Sequence, residues 1–280
     1  MKVTPPEELR AAFLPRTVDA NKYSVGTVTI VGGSGHYIHA PVIAGLGARS
    51  AGAGLVRLVV PDASRICAGA LLPEATFVKL MPTCVPPPAD VTVIGMGLGR
   101  TVNSEVLISR LLSGARGRFV LDADALAILA GWYGRTDGYD PANGQELVLT
   151  PHEGEAAKLL GWTRERVAEA RVAAIHDIVE RYGATVVLNG AHTLVLAADG
   201  KSLYENACGN PFMALGGMGD LLAGVIGARW AYLKGDAFTA AASGVWMHSA
   251  ASDCVVAAHR DPSLVNTASE IGSLRTELDR

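Results

Sequence analysis

The sequence predicts an α/β protein with a central, mostly parallel β-sheet, and three observations lead to this fold class. Short runs of aliphatic and β-branched residues recur along the chain, and each stops at glycine or at small polar residues. Such runs are typical of buried parallel strands. Alanine- and glycine-rich helical patterns lie between them, as in βαβ units. The composition, with 49% hydrophobic and 18% charged residues, indicates a folded chain with a sizeable core.

The first strand–loop–helix–strand unit occupies residues 26–60. Its strand, GTVTIVGG, ends at Gly33, and a glycine-containing loop leads to a helix from about Ala40 to Ala51. The strand LVRLVV at residues 55–60 completes the unit. The loop therefore lies at the carboxyl end of its strand, where α/β proteins bind ligands. Because the spacing is not G-x-G-x-x-G, a Rossmann dinucleotide site is a poor fit.

Four further predicted strands end in residues of the same kind. They cover residues 91–94, 119–121, 147–149 and 186–188, and are followed by the segments Gly95–Gly99, Asp122–Asp124, Thr150–Glu155 and Asn189–Thr193. The carboxyl ends of parallel strands lie at one edge of a sheet. We therefore expect these segments and the loop after the first strand to converge on one cleft.

The remaining part of the chain adds a hairpin and helices. Strands at residues 193–197 and 201–204, joined by Ala198-Asp199-Gly200, give the sheet an antiparallel edge. Helical patterns follow at residues 216–233, 236–258 and 263–278. Because no repeat, low-complexity tract or second-domain boundary is visible, we expect residues 1–280 to form a single domain.

The segment GNPFMALGGMGDLLAG, residues 209–224, is the strongest candidate for chemistry. Its glycines at Gly216, Gly217 and Gly219 let the backbone approach a ligand closely. A helix that starts there adds unpaired amides and the positive end of its dipole, which suits a phosphate. Asp220 beside that phosphate suggests a general base. The alternative is that Asp220 caps the helix.

Other acidic and histidine residues at the strand ends have two interpretations each. Asp122 and Asp124 are candidates for binding Mg²⁺ or substrate hydroxyls, while Asp124 alone is also a candidate helix cap. His152 is either a hydrogen-bond partner of the substrate or a structural residue. Glu155 is placed in the first turn of a helix, where the helix dipole favours an acid.

Composition and charge exclude several classes of partner. The net charge is −3, and no run of Lys or Arg is present, which argues against a nucleic-acid partner. No apolar run reaches the roughly 18 residues of a membrane span. The cysteines are far apart and form no C-x-x-C pair, which favours reduced thiols over a metal site; they are Cys67, Cys84, Cys208 and Cys254. We expect a cytoplasmic protein without a membrane partner.

Seven segments, taken in order, resemble the ADP-dependent NAD(P)H-hydrate dehydratase family of the ribokinase-like superfamily. They are GTVTIVGGSGHYIHAP, GAGLVRLVVP, GMGLG, LDADAL, LTPHEGEAAKLLG, LNGAHT and GNPFMALGGMGDLLAG. The resemblance extends from about Lys22 to the helix that contains His248 and Asp253. It implies a three-layer α/β/α ribokinase-like fold with a central, mostly parallel sheet. The implied activity is a lyase reaction that consumes ADP or ATP and restores NADH or NADPH from its hydrate.

The resemblance also implies roles for individual residues. Asp220 is the implied catalytic base, with the amides of the glycine segment, including Gly217 and Gly219, as its anion hole. The implied pocket for the hydrate is lined, besides Asp220, by Ala40, Gly97, Gly99 and His152. The implied nucleotide site consists of Asn189, Gly190, Ala191, His192, Thr193, Gly216, Met218 and Gly219. Glu155 matches an acid that organises Mg²⁺ through water. The family commonly forms homo-oligomers, so we expect an oligomer here, with a tetramer as one form.

The sequence departs from the family pattern at the phosphate end of the implied site. The family usually has Lys at the position of Asn189, and Thr or Ser at the positions of Leu215 and Met218. A lysine charge and two hydroxyls that could contact phosphate are therefore absent. Two alternatives stay open: a small-molecule kinase of the same superfamily, which would use the same base, and a nucleotide-binding paralogue with weakened catalysis.

Overall fold

Nine β-strands form one sheet in the computed structural model, which describes residues 3–114, 116–133 and 144–279. The strands are β1 (Thr27–Val31), β2 (Leu55–Val60), β3 (Thr76–Lys79), β4 (Val91–Ile94), β5 (Arg118–Leu121), β6 (Glu146–Leu149), β7 (Thr185–Leu188), β8 (Leu194–Leu196) and β9 (Leu203–Glu205). Their order across the sheet is β3-β2-β1-β4-β5-β6-β7-β8-β9. Strands β1 to β7 are parallel, and β8 and β9 are antiparallel to their neighbours.

The strand order confirms the predicted sheet and its antiparallel edge. The strands expected to contribute to the cleft are β1, β4, β5, β6 and β7, and they are direct neighbours in the sheet. Because parallel strands point the same way, their carboxyl ends form one continuous edge. The five loops that follow these strands therefore start side by side along that edge.

Ten α-helices surround the sheet in the described part of the chain. They are α1 (Ala40–Ser50), α2 (Asp62–Leu71), α3 (Val102–Leu112), α4 (Asp124–Trp132), α5 (Glu153–Leu160), α6 (Arg164–Glu169), α7 (Arg171–Tyr182), α8 (Met218–Leu233), α9 (Ala237–Ala257) and α10 (Leu264–Leu278). Short 3-10 helices cover Glu7–Ala12 and Pro211–Met213. Across the described residues, every helix is too short or too polar to cross a membrane.

The helices form two layers, one on each face of the sheet. Helices α1, α2, α8, α9 and α10 bury their apolar residues in one cluster with alternate strand residues such as Val28 and Ile30. The next residue of the strand, Val31, faces a second cluster with α3, α4, α5, α6 and α7. Alternation of this kind follows from the two-residue period of a strand. The predicted three-layer arrangement is therefore present.

The segment between β2 and β4 contains a helix and a strand that the sequence patterns did not predict. Strand β3 has the burial pattern of a sheet edge, with Thr76 and Lys79 exposed and the residues between them half-buried. Edge strands lack the continuous apolar run of a central parallel strand. Helix α2 buries only Ser64 and Ala68, so it also lacks a strong apolar pattern.

Helices α1 and α8 pack so closely that their backbones touch. A Cβ atom on Gly224 would overlap the carbonyl oxygen of Ala44, and one on Gly47 would overlap the carbonyl oxygen of Leu221. At the far end of α8, Ala231 lies against Gly26, just before β1. Helix α8 therefore runs back along the sheet from the edge that carries the five loops, and its first turn lies at that edge.

Substituting Gly224 by Ala should destabilise the fold, because the added methyl group would separate α1 from α8. We expect the free energy of unfolding to fall by about 1–3 kcal/mol, the usual cost of overpacking. Gly131→Ala in α4 is the matched control, since a Cβ there meets nothing within 4 Å; helix propensity should make it neutral or slightly stabilising. Denaturant titration measures both. Equal stability of the two variants would contradict this packing.

Candidate active site

The glycine segment forms a turn that leads directly into α8. The amide of Met218 donates to the carbonyl oxygen of Leu215 at 3.2 Å. Gly217 has a φ of 94°, a backbone conformation that glycine adopts without strain. A helix supplies no acceptor for its first amides, and those of Gly219 and Asp220 lie in this turn. Because a Cβ on Gly219 would meet nothing within 4 Å, this end of the helix is open to a ligand.

Asp220 is the third residue of α8, and it is not the helix cap. The cap position is Gly217, and no side chain makes a capping hydrogen bond there. The capping interpretation of Asp220 is therefore wrong. Burial is the main reason why the pKa of Asp220 rises from 3.8 to about 8, and the negative charges of Asp122 and Glu155 raise it further. A carboxyl group with this pKa is suited to take up a proton near neutral pH.

Asp122 lies directly after β5, buried with 6% of its surface exposed. The hydroxyl of Thr150, at the end of the neighbouring β6, donates to its Oδ1 at 2.8 Å. Burial raises the pKa of Asp122 to about 7, and the charge of Glu155 adds to the effect. Two adjacent strands thus hold a carboxyl group that repels the other acids of the site.

Asp124 ties two loops together instead of capping its helix. Its Oδ2 accepts a hydrogen bond from the amide of Gly99 at 2.8 Å. The cap position of α4 is Ala123, which has a positive φ of 51° and makes no side-chain capping bond. The capping interpretation of Asp124 is therefore wrong. Its carboxylate holds the Gly95–Gly99 loop against the end of β5.

His152 and Glu155 form a reciprocal cap at the start of α5. The Nδ1 atom of His152 accepts from the amides of Gly154 and Glu155, and a carboxylate oxygen of Glu155 accepts from the amide of His152 at 3.0 Å. Glu155 thus occupies the first helical turn, as predicted. Because Nδ1 is an acceptor, the neutral ring carries its proton on Nε2. Burial lowers the pKa of His152, which favours this neutral form.

Ala40 and Gly97, both predicted to bind substrate, lie next to each other. A Cβ on Gly97 would be 3.2 Å from that of Ala40 and 2.5 Å from that of Tyr37. Gly97 has a φ of 64°, which also favours glycine. The start of α1 and the Gly95–Gly99 loop therefore meet. Tyr37, exposed over this contact, was missed because a lone loop tyrosine carries no motif.

The predicted nucleotide residues after β7 form a loop whose two ends are held by side-chain hydrogen bonds and whose middle is exposed. The amide group of Asn189 donates to the carbonyl oxygen of Thr150 at 2.9 Å, so it connects the ends of β6 and β7. Thr193 is buried, and its hydroxyl donates to the carbonyl oxygen of Gly190 at 2.9 Å. The exposed part of the loop is its middle, Gly190 to His192. A ligand would meet the backbone of Gly190 there, together with the side chain of His192, which is 73% exposed.

Sequence reasoning missed two residues that hold the loops of the site. Arg171 of α7 donates to carbonyl oxygens on both sides of Gly190. Asp253 of α9 accepts from the amide of Gly209 and from the side chain of Asn210, each at 2.8 Å. Because both act across long sequence separations, neither has a local signal.

The residues that depart from the family pattern differ in placement. Met218 is buried, and its side chain packs into the core cluster beneath α8. Leu215 is 46% exposed at the turn before the helix. Neither side chain offers a hydrogen-bond donor to an anion, so binding of a phosphate here depends on the amides that remain free.

The acidic residues at this edge are suitable ligands for a hard divalent cation. Asp122 and Glu155 offer only oxygen atoms, which Mg²⁺ prefers, and their pKa values are raised in part by neighbouring negative charge. Over the described ranges, no three His, Cys, Asp or Glu residues lie close enough to hold an ion on their own. Bound Mg²⁺ commonly keeps water and substrate phosphates in its shell.

The four cysteines are unpaired, as predicted.

Comparisons with known proteins point to one family. The family profile described as NAD(P)H-hydrate dehydratase matches residues 28–272. An ADP-dependent (S)-NAD(P)H-hydrate dehydratase from Neisseria meningitidis serogroup B is 37% identical over 252 residues, 87% of this chain and 81% of that protein. A bifunctional NAD(P)H-hydrate repair enzyme from Gloeobacter violaceus is 36% identical over 267 residues, 91% of this chain and 50% of that protein. The chain spans about half the length of the bifunctional relatives it matches.

A solved structure confirms the fold. The ADP/ATP-dependent NAD(P)H-hydrate dehydratase from Bacillus subtilis, co-crystallised with ATP and Mg²⁺, superposes with a TM-score of 0.86 at 24% identity. The match covers 97% of this chain and 96% of that one. The nine-stranded, mostly parallel sheet with helices on both faces is therefore the ribokinase-like fold that the sequence predicted.

Replacing Asp220 by Asn should stabilise the protein increasingly as the pH rises. In the unfolded chain Asp220 ionises near pH 3.8, whereas in the folded protein it keeps its proton up to about pH 8. The wild type therefore loses stability between these values, and the variant does not. Thermal unfolding at pH 4, 6 and 9 should show a widening difference in Tm. The exposed hairpin variant Asp199→Asn is the control; a difference independent of pH for Asp220→Asn would contradict the burial of this group.

Proposed function

The chain belongs to the NAD(P)H-hydrate dehydratase family, and from this premise we propose that it dehydrates hydrated NADH or NADPH. ADP or ATP would be consumed, and the normal reduced cofactor would be restored. The observation that carries the proposal is Asp220. Its carboxyl group has a raised pKa, and it lies in the first turn of α8, where no side chain caps the helix and the first amides are free. The reaction needs both a base for a hydroxyl and a site for phosphate.

Asp220 would act in the first step. Its carboxylate takes the proton of the ring hydroxyl, whose oxygen attacks the terminal phosphorus of the nucleotide. A new P–O bond forms as the bond to the leaving nucleotide breaks, so ADP yields AMP and ATP yields ADP. The amides of Gly219 and Asp220 would hold the phosphoryl oxygens as charge spreads over them.

The second step needs less from the protein. Phosphate is a far better leaving group than hydroxide, and the lone pair of the ring nitrogen can expel it. The C–O bond breaks, phosphate departs with its electron pair, and the adjacent carbon then loses a proton to that phosphate, which restores the double bond. The protein's task here is to exclude water and to hold the ring in place.

The hydrate would occupy the space between the start of α1, the Gly95–Gly99 loop and α5. Ala40 and Gly97 meet there, and Asp124 holds Gly99 in place. His152 would donate a hydrogen bond from Nε2, because its Nδ1 is already an acceptor. A neutral donor is suited to an uncharged carbonyl or hydroxyl group of the substrate.

The nucleotide would lie across the loop after β7, with its phosphates directed towards α8. Gly190, Ala191 and His192 are exposed, while Asn189 and Thr193 hold the loop through hydrogen bonds to backbone carbonyl groups. Mg²⁺, when bound, would neutralise phosphate charge. Glu155, together with Asp122, would hold it, in part through water.

The organisation of the whole protein is also proposed. All nine strands belong to one sheet, which supports a single domain over residues 1–280. We propose a cytoplasmic homo-oligomer, with a tetramer as one form, that acts on small molecules and on neither nucleic acid nor membrane. Sedimentation analysis distinguishes the oligomer from a monomer.

The proposed reaction can be followed directly through the absorbance of reduced nicotinamide. With hydrated NADH, Mg²⁺ and either ADP or ATP, the wild type should restore the absorbance, and Asp220→Ala should lower kcat by about 10²–10⁴, the usual contribution of a general base. Asp199→Asn serves as a surface control. A wild type as inactive as Asp220→Ala would contradict the proposal, and a phosphorylated product that persists would favour the kinase.

The pH dependence of kcat/KM tests the mutual repulsion of the acids. Asp122 raises the pKa of Asp220 through its negative charge, so Asp122→Asn should lower that pKa. The base is active when deprotonated, and the rising limb of the profile should therefore move to lower pH, by about 0.5–1 unit. Glu165→Gln, which removes the same charge from the exposed part of α6, should leave the limb in place. No shift, or a shift upward, in Asp122→Asn would contradict the electrostatic coupling.

A further inference from the structure

An arginine outside every sequence motif holds the nucleotide loop, residues 189–193. Arg171 begins α7, and its side chain is 19% exposed. One terminal nitrogen, Nη2, donates to the carbonyl oxygen of Leu188 at 3.0 Å and to that of His192 at 3.4 Å. A single guanidinium group therefore joins the two sides of the loop.

The loop needs this support because its backbone is not in a relaxed conformation. His192 has a φ of 56°, which is unfavourable for a residue other than glycine. A Cβ on Gly190 would lie 3.1 Å from Nη1 of Arg171, so the guanidinium lies directly against the loop backbone. Such conformations persist where surrounding contacts hold them. The hydrogen bonds to both carbonyl groups are contacts of that kind.

Arg171 also brings positive charge to a loop that has no lysine. Asn189 is neutral, and its amide is used by Thr150. The carboxylate of Glu153 pairs with Arg171 at 2.9 Å and with Arg164 at 3.7 Å. Two guanidinium groups thus share one carboxylate on one side of the loop, while on the other side the carboxylate of Glu205 lies 3.6 Å from Nδ1 of His192. Of these charges, only that of Arg171 is also hydrogen-bonded to the loop backbone, and a polyphosphate bound there would be attracted to it.

We propose that Arg171 is the positioning residue of the nucleotide site: it holds the nucleotide loop in its binding conformation and supplies the charge that Asn189 does not. This inference rests on the proposed function, because it takes the ligand of the loop to be an adenine nucleotide. In this inference, Arg171 increases the affinity for the nucleotide through its contacts with the backbone of the loop. The chemistry at Asp220 is separate from this role.

Calorimetric titration with ADP and Mg²⁺, without hydrate, tests the inference. Arg171→Met should raise the Kd for ADP about tenfold or more, which is the scale of lost charged hydrogen bonds. Arg171→Lys keeps the charge but cannot reach both carbonyl groups, so its Kd should be intermediate. Arg164→Met is the matched control: it removes the other partner of Glu153 and one positive charge, but no hydrogen bond to the loop, so its Kd should rise less than that of Arg171→Met.

Steady-state kinetics separates a positioning role from general damage. In Arg171→Met the KM for nucleotide should rise, while the KM for the hydrate stays near that of the wild type. Unchanged ADP affinity in Arg171→Met, or an equal loss in Arg164→Met, would overturn the inference. If thermal unfolding shows that Arg171→Met does not fold, the role of Arg171 is tested with Arg171→Lys and Glu153→Gln instead. Glu153→Gln frees Arg171 from its carboxylate, so a loss of ADP affinity as large as tenfold in that variant would overturn the inference.

The proposed function can fail without the inference. A wild type that binds ADP but restores no reduced cofactor would contradict the repair activity, and a weakened Arg171→Met would still support the role of Arg171. A wild type that repairs the hydrate, with the same nucleotide KM in Arg171→Met, would overturn only the inference. A wild type without measurable ADP affinity would overturn the inference whatever its activity.

Discussion

The backbone contact between α1 and α8 is the constraint on which the site depends. Gly47 and Gly224 allow the two helices to touch, and both helices begin at the sheet edge that carries the loops. A Cβ on Gly217, just before α8, would lie 3.0 Å from the side chain of Ile43 in α1. The position of the free amides of α8 is therefore fixed by the packing of α8 against α1, rather than by the glycine segment itself.

Once α8 is fixed, electrostatics determines the character of the site. Burial is the main cause of the raised pKa of Asp220, and the negative charges of Asp122 after β5 and Glu155 in the first turn of α5 raise it further. Acids held near one another in the folded state cost stability as they ionise. A ligand or cation that relieves this repulsion is favoured for the same reason. The repulsion between the acids thus lowers the stability of the protein without ligand, and it also helps to raise the pKa of Asp220 for a proton transfer.

The fold was largely predictable from the sequence because central strands are buried on both faces and carry an uninterrupted apolar signal. Strand β3 was not predictable, since an edge strand with Thr76 and Lys79 exposed has no such signal. Asp124 shows a different limit of prediction from sequence. An aspartate can either cap its own helix or accept a hydrogen bond from another loop, and only the folded position of Gly99 shows that Asp124 does the second. Arg171 and Asp253 act over distances in sequence at which no spacing rule applies.

The departures at Asn189, Leu215 and Met218 acquire a physical meaning from these contacts. Met218 packs into the core, and its amide is already bonded to Leu215; the residue at this place therefore contributes to packing more than to a ligand. Backbone amides keep their donor strength whatever the side chain, so a site built on Gly219 and Asp220 tolerates such replacements. What amides do not provide is a full positive charge. In this chain that charge lies beside the neighbouring loop, on Arg171, whose guanidinium donates to the carbonyl groups of Leu188 and His192.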